Sequence, residues 1–179
     1  YGNKSTFVMA NLTEISNQIN DQGEILLSLK ESVNCKVISD ELTLYEAKIL
    51  HLSQICETMK LAQRKWLHLE PIYDTAMVTT KREVFNTVDK KLRSILLQNK
   101  KAKIKDLIDD DINPKLKQCL DKCLVDLDEC QHCLSVFLEE KRRVFPRFYF
   151  LGDDSLIDVL ANSSKPASIQ VYIKHLFQA

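Results

Sequence analysis

Apolar residues recur at steps of three and four along most of this chain, the spacing that lines one face of an α-helix. From about Thr6 to Leu29 the positions Phe7, Val8, Leu12, Ile15, Ile19, Leu26 and Leu29 keep that rhythm, with a break at Asp21-Gln22-Gly23. One bent helix or two short ones would fit. Ser32 to Ser39 is a connector, and a second helix is predicted from near Asp40. Its seam is Leu42, Tyr45, Ile49, Leu52, Cys56, Met59, Gln63 and Trp66, polar only at Gln63, and Leu44, Ala47, Ile55 and Ala62 widen the apolar face. A face that wide belongs in a bundle rather than in a free two-stranded coil. Pro71 is expected to end this helix after about 40 Å at 1.5 Å per residue.

Thr80-Lys81-Arg82-Glu83 has the capping-box pattern and predicts a third helix that buries Phe85, Val88, Leu92, Ile95 and Leu96. Lys100, Lys101, Lys103 and Lys105, then Asp106, Asp109, Asp110 and Asp111, read as a solvated connection. Asn113-Pro114 marks another start, asparagine as cap and proline at the first helical position. The strictest seam follows, Leu116, Leu120, Cys123, Leu127, Cys130, Leu134 and Phe137, with Lys141-Arg142-Arg143 in the last turn beside the carbonyl end of the dipole.

This helix runs into Phe145-Pro146-Arg147-Phe148-Tyr149-Phe150, where Pro146 forces a stop. A short strand covered on both faces is predicted next, with Phe148 and Phe150 on one face, where they are expected to anchor the end of the long helix, and Tyr149 and Leu151 on the other. Gly152 then supplies a turn, and Asp153 or Asp154 is expected to cap a helix over Ser155 to Leu160. After a loop at Asn162 to Pro166, the positions Ile169, Tyr172, Ile173, Leu176 and Phe177 form one face of a last helix. The expected fold is all-α, an elongated bundle of four to six helices with at most one short strand, in a single piece over residues 1–179.

Composition agrees with long amphipathic helices, since there are only 3 glycines and 4 prolines beside 28% charged residues. Lys+Arg and Asp+Glu both total 25, so no basic excess points to nucleic acid or to an anionic membrane as partner. No apolar run is long enough to span a membrane, and no signal-peptide pattern opens the chain.

Candidate chemistry is sparse. Cys119, Cys123, Cys130, His132 and Cys133 include a Cys-x-x-Cys spacing, but a tetrahedral zinc site needs its ligands around one point. Cys119 and Cys133 would lie about 21 Å apart along one helix, so the four cysteines are read as a core stripe and no metal site is expected. Gly2, Gly23 and Gly152 are too scattered to build a phosphate-binding loop. His51, His68, His132 and His175 show no nucleophile partner in sequence, so neither a catalytic residue nor a bound cofactor is expected here.

The aromatic run is the most specific stretch, and with its context it resembles the linker of dynein heavy chains. In that family a long helix ends in a Leu-Glu-x-x-Arg-like run followed by Phe-Pro-Arg-Phe-Tyr-Phe, a turn and a short helix. Here Phe137 to Arg142 and then Phe145 to Leu160 stand in those places. Upstream, Trp66-Leu67-His68-Leu69-Glu70-Pro71-Ile72-Tyr73 resembles the family's Trp-x-x-Leu-Glu-Pro-Ile-Phe, and Phe85-Asn86-Thr87-Val88-Asp89 its Phe-x-x-Val-Asp. The resemblance covers nearly the whole chain, and Met77-Val78-Thr79-Thr80 departs from it where the family carries a Leu-Pro-containing stretch.

The resemblance implies a piece of a much longer motor chain, a helical lever lying across an AAA+ ring. The ring's ATP and Mg, the microtubule, and the intermediate and light intermediate chains are implied partners of the parent, located in cytoplasm, cytoskeleton and cilium. Trp66, Glu70, Pro71, Phe145, Pro146, Arg147, Phe148, Tyr149, Phe150 and Gly152 are the implied mechanical residues. Gly152-Asp153-Asp154 is similar to the cytoplasmic class. Ile15 to Ile19 with Leu26 to Lys30 is similar to its dynein 2 branch, which drives retrograde intraflagellar transport. The alternatives are an axonemal dynein linker and a non-motor coiled-coil adaptor.

Overall fold

A computed structural model describes residues 8–32, 38–74, 78–100, 115–163, 170–173 and 176–177. The elements are α1 Leu12–Lys30, α2 Ser39–Asp74, α3 Arg82–Gln98 and α4 Leu116–Val144, then a 3-10 helix over Pro146–Phe150 and α5 Asp153–Ala161. Residues 170–173 are also helical. No strand occurs among the described residues, so the expected all-α bundle is what forms.

The periodic faces explain how the helices pair. α1 runs antiparallel to α2: Lys30 pairs with Glu46, Ser16 donates to Glu57, and Met9 meets Gln63. α4 runs parallel to α2, because Lys65 pairs with Asp128 and the Tyr73 hydroxyl donates to the Cys130 carbonyl. Trp66, Leu69, Val88, Leu92, Leu120, Leu127 and Leu156 meet in one core. A second, smaller cluster of Ile19, Leu52 and Cys56 joins α1 to α2.

Of the two readings offered for the first segment, a single helix is what forms: α1 is continuous through Gly23. Gly23 lies on the face that meets α2, where an added Cβ would sit 3.8 Å from Ile49 Cγ2, an ordinary contact. Gly23→Ala should therefore raise stability by about 0.5–1 kcal/mol, through the lower entropy of the unfolded chain and better helix propensity. Urea denaturation measures it, and a loss of stability would show that the α1–α2 contact is tighter than the geometry implies.

Pro71 does not end α2, which continues to Asp74 and spans 36 residues, about 54 Å. The ring removes one N–H from the helix ladder, but the turn that follows is held by burial of Ile72 and Tyr73. Within the α2 seam Leu42, Leu52, Cys56, Met59 and Trp66 are buried, whereas Tyr45 and Leu44 are exposed. α1 ties to that stretch through the Lys30–Glu46 pair, and from Gln54, which accepts from Lys117, α4 packs alongside α2 as well. Gln63, the polar residue of the seam, donates to the Met9 carbonyl at 3.0 Å and accepts from the Met9 N–H at 2.9 Å.

The capping box at Thr80 to Glu83 does not form. Lys81 takes the cap position in a left-handed conformation, φ 60°, with no side-chain cap, and its ammonium pairs with Glu129 on α4 at 3.0 Å. Anchoring by α4 thus replaces the local cap. Asn113 and Pro114 lie outside the described residues, as does most of the Lys100 to Asp111 stretch, and α4 begins at Leu116. Along α4 the core seam closes with Leu138 rather than with Phe137, which is only partly buried.

Candidate mechanical joints

Two of the sequence motifs, more than a dozen residues apart in the chain, come together between α2 and α3. The Trp66 ring is fully buried, and its N–H donates to Asp89 Oδ1 at 3.0 Å. Arg93 donates its Nε to the same oxygen at 2.8 Å, pairs through its terminal nitrogen with Glu70, and lies 5.1 Å from the Trp66 ring centroid. One guanidinium thus joins two carboxylates and covers an indole face, which suits its planar fork and weak hydration. Nearer the α2–α3 connection, Tyr73 stacks on Phe85 with centroids 4.7 Å apart and planes 8° from parallel. Arg93 and Tyr73 were not singled out from sequence as site residues. The signal for Arg93 was its helical i,i+4 relation to Asp89.

The second joint is the aromatic corner, where the predicted strand is instead a 3-10 helix. Pro146 occupies its first turn, and Phe148 N–H bonds to Phe145 O and Leu151 N–H to Phe148 O. Those short-range bonds curl the chain back on α4, which an extended strand could not do, and Tyr149 donates its hydroxyl to Glu139 at 2.6 Å.

The expected burial is also corrected. Phe148 is only partly buried, Tyr149 and Phe150 are exposed at 55% and 74%, and Phe145 meets Phe148 edge to face at 4.8 Å. Leu151, Leu156 and Val159 enter the core instead. Arg142 ties the joint from the last turn of α4, donating to the Leu151 carbonyl at 3.1 Å and to the Asp153 carboxylate at 2.7 Å.

Asp153 thus begins α5 as the partner of Arg142 rather than as its cap, which falls to Gly152 without a side-chain bond. Arg147 donates to the Leu176 carbonyl at 2.8 Å and lies 4.6 Å from the Phe177 ring. Of the corner residues, then, Arg147 and Tyr149 make long-range ties, and Pro146 and Gly152 shape the turns.

The cysteine stripe of α4 is only half buried: Cys123 and Cys130 are in the core, Cys119 is exposed and Cys133 intermediate. Burial pushes the Cys130 thiol up to about 11, and it raises Cys123 and Cys56 as well. Of the four α4 cysteines, alkylation at neutral pH should therefore modify Cys119 first, with Cys123 and Cys130 reacting only on unfolding. Mass spectrometry of timed samples reads this order, and rapid labelling of Cys130 in folded protein would contradict it.

The same burial makes stability fall as pH rises. From about 9, where an unperturbed thiol ionises, to about 11, where folded Cys130 does, the unfolded chain sheds the proton and the folded chain keeps it. Urea midpoints should be level from about pH 6 to 8 and decline above 9, less steeply in Cys130→Val.

Both joints hold helices to one another through packing and directional bonds, and every element among the described residues is helical. The family described as dynein heavy chain, N-terminal region 2, matches residues 1–179, and the chain belongs to that family. Cytoplasmic dynein 2 heavy chain 1 of Rattus norvegicus is 35% identical over 176 residues, covering 98% of this chain and 4% of that protein. Its counterpart in Homo sapiens is 37% identical over 164 residues, 92% of this chain and 4% of that protein. Dynein axonemal heavy chain 1 of Mus musculus is 28% identical over 182 residues, 99% of this chain and 4% of the relative. The chain therefore spans about 4% of the length of these curated relatives.

Proposed function

We propose that this chain is part of the mechanical linker of a dynein heavy chain, the lever that turns ATP-driven changes in the AAA+ ring into movement along a microtubule. The family match over all 179 residues carries the proposal. The fold supports it physically. α2 and α4, 36 and 29 residues long, run side by side from about Gln54 of α2 onward, α3 is clasped to α2, and α4 ends at a tied corner. Such a body transmits displacement with little internal give, because close-packed interiors have low compressibility. ATP and Mg act in the ring of the parent chain and not at these residues, and the intermediate and light intermediate chains are partners of that parent.

Within the family we place it in a cytoplasmic dynein 2 heavy chain serving retrograde intraflagellar transport, in cytoplasm, cytoskeleton and cilium. Identities of 35–37% to those relatives, against 28% to the axonemal chain over a similar length, favour this over the axonemal alternative. The test is a full heavy chain with two glycines inserted between Val144 and Phe145. Microtubule gliding should slow severalfold while ATPase activity persists. Unchanged gliding, or equal loss of both activities, would reject the lever. A tagged heavy chain excluded from cilia would reject the transport assignment alone.

A further inference from the structure

We propose that Trp66, Glu70, Asp89 and Arg93 form a register lock, which stops α3 from settling one helical turn along α2. The proposal goes beyond the lever reading and does not depend on it.

The apolar face of α3 is nearly self-similar. Val84, Val88, Leu92 and Leu96 stand four apart, all but Val84 buried and Val84 packed against the same core. A slide of one turn, about 5.4 Å, would put three of these four residues where another aliphatic one had been. Aliphatic contacts of similar size therefore discriminate weakly between the two registers.

The adjacent row, also four apart, is different at every position: Phe85 stacks on Tyr73, Asp89 accepts from the Trp66 N–H, and Arg93 reaches Glu70. After the same slide in one direction Asp89 would meet the Tyr73 ring, and Arg93 would approach the Trp66 N–H, donor against donor. In the other direction Phe85 would face the Trp66 N–H and leave it without an acceptor. Buried polar groups that are satisfied in only one arrangement penalise the alternatives, as a single buried polar residue does in a coiled coil.

The side chains of Asp89 and Arg93 are 15% and 19% exposed, so water compensates poorly for a lost partner. The helices are antiparallel, with Tyr73–Phe85 nearest their connection and Trp66–Arg93 farthest from it. The lock therefore spans the length over which a slide would be felt.

The test is electron–electron distance spectroscopy on the full 179-residue chain, with genetically encoded spin labels at Lys48 on α2 and Lys90 on α3, both exposed. The two positions are well separated along the axis, so a one-turn slide changes their separation by about 5 Å. The unaltered chain should give one narrow distance. Glu70→Gln with Asp89→Leu and Arg93→Met removes the charges and the acceptor while keeping volume. It should stay helical and add a second population displaced by about 5 Å. One unchanged distance in that folded variant would overturn the lock, since the aliphatic row alone would then fix the register. If the triple variant does not fold, Arg93→Lys decides: a shortened reach to Glu70 should give a minor displaced population, and none at all would again reject the proposal.

Discussion

Trp66→Ala should lower the stability of the chain by about 3–5 kcal/mol, the range for deleting a fully buried large aromatic side chain. The ring has no exposed surface and lies among the residues that α2, α3 and α4 contribute to the main core. Its removal leaves a cavity, and it also takes away the N–H that Asp89 accepts and the surface that Arg93 covers. Those losses are separable. Trp66→Phe keeps an aromatic face for Arg93 and loses the N–H, while Asp89 keeps its bond from Arg93 at 2.8 Å. A loss of about 1–2 kcal/mol is expected for the phenylalanine variant, since one partner of a part-buried bond is gone but the carboxylate is still satisfied. Urea denaturation measures both. A double-mutant cycle with Asp89→Asn should show coupling beyond the sum of single losses, because the two residues share one network. Simple additivity would mean that the indole acts by volume alone.

The helical faces were legible because burial imposes a period that few other constraints disturb: Leu116, Leu120, Cys123, Leu127, Cys130 and Leu134 were all placed correctly. Errors came where a tertiary contact overrode a local rule. Pro71 would end an isolated helix, yet Tyr73, two residues on, is held by Cys130 and Phe85, so the helix persists. Thr80 offered a cap, and Lys81 found Glu129 instead. At the corner, alternating aromatics suggested a strand because the pattern carries no information on whether a second strand exists to pair with. With none beside it among the described residues, the chain closes its backbone bonds locally as a 3-10 helix. The motifs themselves were found without their mutual geometry: Trp66 and Asp89 were each singled out, but nothing in one sequence says that they touch. Arg93 and Arg142 were missed as ties for the same reason. A charged residue on a helix reads as solvated until its partner on another element is known.

Leu156→Ala should release α5 from the end of α4 at a cost of about 2–5 kcal/mol, whereas Phe150→Ala should change the stability of the chain by less than about 0.5 kcal/mol. The contrast follows from burial, since Leu156 is fully buried and Phe150 is 74% exposed. It also corrects the expectation from sequence for Phe150, whereas Phe148 is partly buried and packs against the core. Hydrogen exchange should locate the loss. Amides of residues 153–161 should exchange faster in Leu156→Ala, while those of α2 to α4 stay protected, because Arg142 and Leu151 hold the near side of the joint. Uniformly faster exchange would mean that α5 is integral to the core and not a docked piece.

In a full heavy chain, an alanine at 156 should then slow gliding more than it lowers ATPase, as a loosened joint between rigid parts would. Phe150→Ala is the informative companion. Its side chain, with Val144 at 83% exposure, costs nothing to remove from this chain alone. If gliding nonetheless falls in that variant, Phe150 acts on a surface outside these residues. If gliding is unchanged, Phe150 carries no force, and the corner transmits it through its internal contacts, Leu151, Leu156 and the Arg142, Tyr149 and Arg147 ties among them.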